Sequence, residues 1–322
     1  MSPRAKARGG IDLGGTKIQT VVVSARSRVL GEARTATPQS GGPKAIAAAM
    51  AECLREGAAA AGYETAALTG VGVGSPGEAD GSTGTVSGAK NLSGWNGTFA
   101  LAEALEAALG PKVQVGNDVQ VATTAEFKLG AGRPYRSLLG VFWGTGVGGG
   151  IVLNGRDWLG RGAAGEIGHV VVKRGGARCP CGNRGCMEAY AGRAAMEAKA
   201  RRQVKKGRKT VLFDVMEHKG KDRLTSAVWE KAIKQKDDLA LELVDRAVKA
   251  LGAGIASAVN LLDVEAVVLG GGLGVRFGER YGPEIERRME KNLFAHDNPP
   301  AFHVAELGDL GGAIGAALLA SS

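Results

Sequence analysis

Three of the four cysteines, Cys179, Cys181 and Cys186, fall in the single stretch CPCGNRGC. In a reducing compartment such a cluster reads as a metal site, because thiolates are soft ligands and disulfides rarely persist there. Gly182 and Gly185 let the loop wrap an ion. Two glycine-rich segments offer a different chemistry. One holds Asp12, Gly14, Gly15, Thr16 and Lys17; the other holds Gly144, Thr145, Gly146, Gly148 and Gly149. Backbone without side chains admits phosphate closely. Alone, either segment reads equally as a tight hairpin turn, whereas two make a clamp. Asp12 places a carboxylate where a nucleotide's Mg²⁺ needs an oxygen or a partner for its water, with a turn-forming Asp as the alternative. Gly271 belongs to a third glycine cluster that follows an apolar strand and would lie against a nucleoside. Asp118 follows the strand KVQVGN and opens a helix. It is placed either as a base for a hydroxyl or as a helix cap, and the residues leave both open.

The elements around these groups decide what the glycines are. Gly144, Gly146 and Gly149 have the spacing of a dinucleotide fingerprint, but that motif needs a helix next, and the strand-like IVLNG follows. The chain also lacks the G-x-x-x-x-G-K-[ST] pattern, which excludes a P-loop enzyme. Short strands run through GIDLGGTKIQTVVV and VLGEARTAT, a helix runs from Pro43 to Ala61, and LTGVGVGSPG is a buried strand. FALAEALEAAL is a second helix before KVQVGN. After the helix DVQVATTAEFKL, the strands SLLGVFWG and GGGIVLNG repeat the opening strand, glycine turn and strand. The region Lys205 to Thr225 is poorly patterned and reads as loop. A long helix, LALELVDRAVKALGAGIASAVNLL, leads to the strand VEAVVLGGG, and HVAELGDLGGAIGAALLA reads as a closing helix with a small-residue face. Such alternation of strand and helix predicts a largely parallel α/β sheet.

Composition narrows the class. At 322 residues with 44% hydrophobic content, the chain is long enough for two cores. No run of about 18 apolar residues appears, and MSPRAKARGG lacks the apolar stretch of a secretory signal, so a cytoplasmic protein without a membrane partner is expected. The net charge of +9 is concentrated in Arg4, Lys6 and Arg8 and in the seven Lys/Arg of 199–209. These two segments exceed the whole net charge, so the rest of the chain is close to neutral. No aromatic residues interleave them, which favours a solvated tail and a solvated helix face over a nucleic-acid patch. Cys53, in an Ala-rich helix, reads as a packed core thiol.

IDLGGTK, NLSGW, NDV with a Glu eight residues after its Asp, GTGVGGG, GEIGH and CPCGNRGCME occur in this order, and VVLGGGL follows. In this the chain resembles the ROK family, which groups bacterial sugar kinases with sugar-responsive repressors. The resemblance implies an α/β, actin-like (ribonuclease-H-like) two-domain ATPase fold with ATP and sugar in the interdomain cleft. It places one domain at 1–118, completed by the closing helix 308–322, and the other at 119–307, carrying the cysteine loop. It implies a kinase using ATP with Mg²⁺ on a hexose, glucose foremost, with N-acetylglucosamine, N-acetylmannosamine, fructose, mannose or allose as alternatives. Asp118 becomes the general base, and Asn91, Asn117, Glu166, His169 and Glu188 the sugar contacts. His169 joins Cys179, Cys181 and Cys186 around one structural Zn²⁺. A homodimer or homotetramer is implied as well. The serine that often follows Glu-Ala-Tyr in the family is absent from AYAG, so no contact is assigned there. Repressors of the family carry a winged helix-turn-helix before the first glycine loop, and residues 1–9 are too few for one, so no nucleic-acid partner is expected.

Overall fold

The computed structural model describes residues 6–89 and 91–320; Arg4 of the basic run and Ser321 and Ser322 of the closing span lie outside the described residues. These form two units, one drawn from Met1–Gly130, Leu159–Ala164 and Leu307–Ser322, the other from Ala131–Trp158 and Gly165–Glu306.

In the first unit, β1 (Ala7–Leu13), β2 (Lys17–Ser24) and β3 (Val29–Ala36) make an antiparallel meander. Helix α1 (Gly42–Ala60) buries Ile46, Met50 and Leu54, whose spacing of four puts them on one face. Strand β4 (Val71–Ser75) pairs parallel with β1. A small hairpin, β5 (Glu78–Asp80) and β6 (Thr85–Ser87), and helix α2 (Leu101–Leu109) precede β7 (Val113–Asn117), which pairs parallel with β4. The sheet order is β3-β2-β1-β4-β7. Helix α3 (Asp118–Leu129) leaves the end of β7. Cys53 is buried in α1 with its sulfur 3.5 Å from the Thr20 hydroxyl, as a core thiol should be.

The second unit repeats the plan. Strands β8 (Leu138–Trp143), β9 (Val147–Leu153) and β10 (Arg156–Asp157) form the meander. Five helices follow: α4 (Glu188–Ala191), α5 (Arg193–Val204), α6 (Leu212–His218), α7 (Ser226–Lys234) and α8 (Asp238–Leu262). Strand β11 (Ala266–Gly270), helix α9 (Gly271–Glu290) and strand β12 (Ala301–Val304) complete it. β8, β11 and β12 are parallel, in the order β10-β9-β8-β11-β12. The five Lys/Arg from Arg201 to Arg208 are exposed, on the last turn of α5 and the loop after it.

The closing helix α10 (Gly311–Leu319) returns to the first unit and packs on β1, β4 and α3. A side chain at Gly10 would collide with the Ala313 carbonyl, and one at Gly72 with the Ala316 carbonyl, so the helix backbone rests directly on the sheet.

Four readings of the sequence need correction. Helix α6 lies inside 205–225, which reads as loop; Leu212 and Val215, three residues apart, are its buried face. His303 and Val304 finish a strand, because register with Val268 and Leu269 of β11 overrides their helical context, and the helix begins only at Gly311. The division at 118 assigns α3 to the second domain, but its packing against α10 holds it in the first unit, which runs to Gly130. Gly271 opens a helix, α9, that the glycine-rich sequence conceals.

Candidate active site

The parallel strands of the first unit end together. Asp12 of β1 pairs with Gly74 of β4, Gly74 pairs with Gly116 of β7, and Asn117 and Asp118 come next in the chain. Such a carboxyl edge is where α/β sheets present ligand groups. Asn117 is the N-cap of α3, its Oδ1 accepting from Val119 N at 3.0 Å and Gln120 N at 3.1 Å. The capping duty that the sequence leaves open between the two roles of Asp118 therefore falls on its neighbour. Asp118 Oδ1 accepts from Val119 N at 2.9 Å, which fixes the carboxylate at the first turn of the helix. Asn91 comes to the first glycine turn by its backbone: a side chain at Gly15 would press on the Asn91 carbonyl oxygen at 2.7 Å.

Gly14, Gly15 and Thr16 form the β1–β2 turn, closed by Gly14 N donating to Lys17 O at 2.9 Å and braced by the Thr37 hydroxyl on Gly14 O at 2.6 Å. Lys17 Nζ lies 3.3 Å from Asp309 Oδ2. Burial pushes the Asp12 carboxyl up from its ordinary 3.8 to about 6; Lys17 pulls it down and Asp309 pushes it further up. Gly312, without a side chain, leaves room for that carboxyl at the start of α10. The raised value means the folded protein holds this proton more tightly than the unfolded chain. The stability from the protonated form is thus complete below about pH 4 and lost as pH rises through about 6. Asp12→Asn is expected to melt above the wild type at pH 7.5, by up to about 3 kcal/mol less what water at the exposed edge screens, with the gap closing toward pH 4. Melting curves at the two pH values check this; a gap independent of pH contradicts it.

In the second unit, Gly144, Thr145 and Gly146 make the β8–β9 turn, with Gly144 N donating to Gly146 O at 3.0 Å. The hairpin expected from the strand-like IVLNG is present, and Gly148 and Gly149 lie within β9. Gly271, at φ +80°, follows β11 and would meet the Trp143 carbonyl at 2.6 Å if it carried a Cβ, so it sits beside the end of β8. Glu188 reaches the same turn: its Oε2 accepts from Val147 N at 2.9 Å, and a side chain at Gly146 would strike it. Arg193, which nothing in the sequence marks, donates through Nη2 to Thr145 Oγ1 at 2.8 Å. A Gly-Arg pair at a helix start carries no signal of such a contact.

His169, Cys179, Cys181 and Cys186 converge, their nearest ligand atoms all within 4.8 Å of one another. Cys179 Sγ is 3.7 Å from His169 Nδ1, and Cys181 Sγ is 3.7 Å from Cys186 Sγ. A tetrahedron with metal–sulfur bonds of about 2.3 Å has edges of about 3.8 Å, so this donor set fits zinc. Gly182, at φ +102°, turns the loop, and Gly182 N donates back to Cys179 O at 3.0 Å. Burial pushes the Cys179 thiol up to about 12 and the Cys186 thiol upward, while the backbone amide of Asn183 lowers Cys181. A bound dication reverses that penalty for thiolates. His169 Nε2, the nitrogen turned from the sulfurs, is 3.7 Å from Glu166 Oε2.

Each unit carries a five-stranded sheet whose antiparallel meander continues into parallel strands, and each meander holds a glycine hairpin. This is the actin-like ATPase fold. Residues 8–322 match the ROK family model, and the chain belongs to the ROK family. It is 34% identical over 316 residues to the glucokinase of Streptomyces coelicolor, covering 97% of this chain and 96% of that one. It is 31% identical over 321 residues to an N-acetyl-D-glucosamine kinase of Pectobacterium atrosepticum, covering 96% and 97%. The crystal structure of a ROK family glucokinase from Streptomyces griseus in complex with glucose and AMPPNP matches with a TM-score of 0.82 at 30% identity, covering 98% of this chain and 99% of that one.

Proposed function

We propose that the chain is an ATP-dependent hexose kinase whose preferred substrate is glucose, phosphorylated on its 6-hydroxyl. The observation that carries this is Asp118, set at the carboxyl edge of a parallel sheet with the capping of α3 done by Asn117. A sugar hydroxyl is a weak nucleophile, and a fixed carboxylate supplies the missing basicity. Asp118 takes the hydroxyl proton as the sugar oxygen bonds to the γ-phosphorus; the bond from that phosphorus to the bridging oxygen breaks, and ADP leaves.

The remaining assignments rest on the family's motifs matched residue by residue. Asn91, Asn117, Glu166, His169 and Glu188 pair with sugar hydroxyls. Glu188 is oriented for it by Val147 N on Oε2 at 2.9 Å, with Oε1 3.9 Å from Cys179 Sγ. Asp12 and the turn through Gly14, Gly15, Thr16 and Lys17, together with the turn through Gly144, Thr145, Gly146, Gly148 and Gly149, serve the nucleotide's phosphates and Mg²⁺; Gly271 serves its nucleoside. Zn²⁺ would be held by His169 Nδ1 and the thiolates of Cys179, Cys181 and Cys186. Four protein ligands leave no open position, so the ion supports the loop and takes no part in phosphoryl transfer. No described helix is long and apolar enough to cross a membrane. A cytoplasmic location is part of the proposal. A homodimer or homotetramer, with no nucleic-acid partner, completes the reading.

A coupled assay of ADP release over a panel of hexoses tests it. Glucose with ATP is expected to give a higher kcat/KM than fructose or either N-acetylated hexosamine. A tenfold preference for an N-acetylated sugar, about 1.4 kcal/mol in the transition state, overturns the choice of sugar. Absence of ADP release with every hexose overturns the kinase.

A further inference from the structure

Residues 188–194 hold the β8–β9 turn along its whole length. Trp143 Nε1 donates to Ala191 O at 2.6 Å, and Glu188 accepts from Val147 N at 2.9 Å. Between these, the first two amides of α5 donate into the turn: Arg193 N to Gly144 O at 3.1 Å and Ala194 N to Thr145 O at 3.0 Å. The opening amides of a helix need acceptors, and Gly192, which precedes α5, has no side chain to offer one. The carbonyls of the turn fill that place.

This has a geometric result for the turn. A trans peptide holds its N–H opposite its C=O, and no cis peptide occurs among the described residues. Tying the carbonyls of Gly144 and Thr145 to α5 therefore directs the amides of Thr145 and Gly146 away from it, as two adjacent donors. Successive amides on one side of a turn form an anion-binding concavity. Glycines at 144 and 146 would leave such a turn free to rotate. The Arg193 guanidinium restrains it, bridging Thr145 Oγ1 at 2.8 Å and Leu224 O at 3.1 Å.

We infer that Arg193 is a positioning residue for the nucleotide: acting through Thr145, it holds the amides of Thr145 and Gly146 as preset donors to phosphate oxygens. The inference rests on the ATP-binding role proposed above. Donors fixed before the ligand arrives bind without reorganisation, so the effect belongs to nucleotide affinity and leaves the sugar site alone.

Calorimetric titration with AMPPNP and Mg²⁺, without sugar, tests this on the wild type, Arg193→Ala, Thr145→Val and the double variant, with a parallel glucose titration. Each single change is expected to weaken AMPPNP about tenfold, the scale of one charge-assisted hydrogen bond, with glucose affinity within about twofold. The double variant is expected to be little weaker than Arg193→Ala, because the two residues act as one unit. Wild-type AMPPNP affinity in a folded Arg193→Ala, equal loss of glucose affinity, or fully additive losses would each overturn the inference. If Arg193→Ala does not fold, Thr145→Val decides alone, and wild-type affinity there overturns it. A wild type that binds glucose but no AMPPNP defeats the ATP role itself, a result distinct from failure of Arg193.

Discussion

Asp118→Asn is expected to fold as the wild type does and to phosphorylate hexose about 10² to 10⁴ times more slowly, the range for loss of a general base. The substitution keeps the shape and an oxygen that accepts from Val119 N. It removes the charge and with it the basicity. Helix α3 keeps its cap, since Asn117 supplies the acceptors for Val119 and Gln120. Loss of an anion from the first turn costs at most about 1 kcal/mol there. Sugar affinity should change little, because an amide still pairs with a hydroxyl. The companion variant Asn117→Ala should lose about 1 kcal/mol of stability through the cap and, as a proposed sugar contact, weaken sugar binding as well. Steady-state kinetics and a denaturant titration on both variants make the comparison. Wild-type kcat in Asp118→Asn would leave the residue as a structural element of the helix start and remove the base from the mechanism.

The second large effect concerns the metal. Protein purified without added zinc is expected to carry one Zn²⁺ per chain, and Cys181→Ser to carry little. At free zinc 1,000-fold above Kd, binding adds about 4 kcal/mol to the folded state. For a unit of this size that corresponds to about 8–16 °C in melting temperature. The same variant should lose activity with sugar, because Glu188 stands two residues beyond Cys186 in the chain. His169→Ala leaves three sulfurs but also removes a proposed sugar contact, so for this variant metal content is the deciding readout. Metal content by mass spectrometry and melting curves read the outcome. Substoichiometric zinc in a fully active wild type, or full activity in Cys181→Ser, contradicts the assignment.

How much of this was legible in the sequence depended on the range of the interactions involved. The two hairpin turns are local, set by glycine between β-branched runs, and the structure has them where GIDLGGTK and GTGVGGG place them. The cysteine loop is also local. Position at a strand end was enough to single out Asp118, but not to place the cap of α3, which falls on Asn117 because its Oδ1 accepts from both Val119 N and Gln120 N. Helix α9 stayed hidden because Gly271, Gly272, Gly274, Gly278 and Gly282 depress helix propensity. Its Gly278 is needed for packing, as a side chain there would press on Val304 of β12 at 2.5 Å. The strand at Ala301–Val304 was missed for the converse reason, its pairing with β11 being invisible from flanking residues that favour helix. Arg193 and the burial of Asp12 depend on contacts between distant segments, which no local pattern records.

The return of α10 to the first sheet bears on how the chain is made. The whole second unit is threaded between α3 and α10, so β1 and β4 are synthesised long before the helix that covers them. Gly10 and Gly72 cannot be shielded by anything bulkier than a close helix backbone. On the ribosome the first-made strands must therefore wait with one face open, while the later-made unit has all its own elements together sooner. Vectorial synthesis would then reverse the usual order of maturation, with the N-terminal sheet the last part to become protease-resistant. A chain truncated after Leu310 and released from the ribosome should show cleavage in β1–β4 and protection in β8–β12.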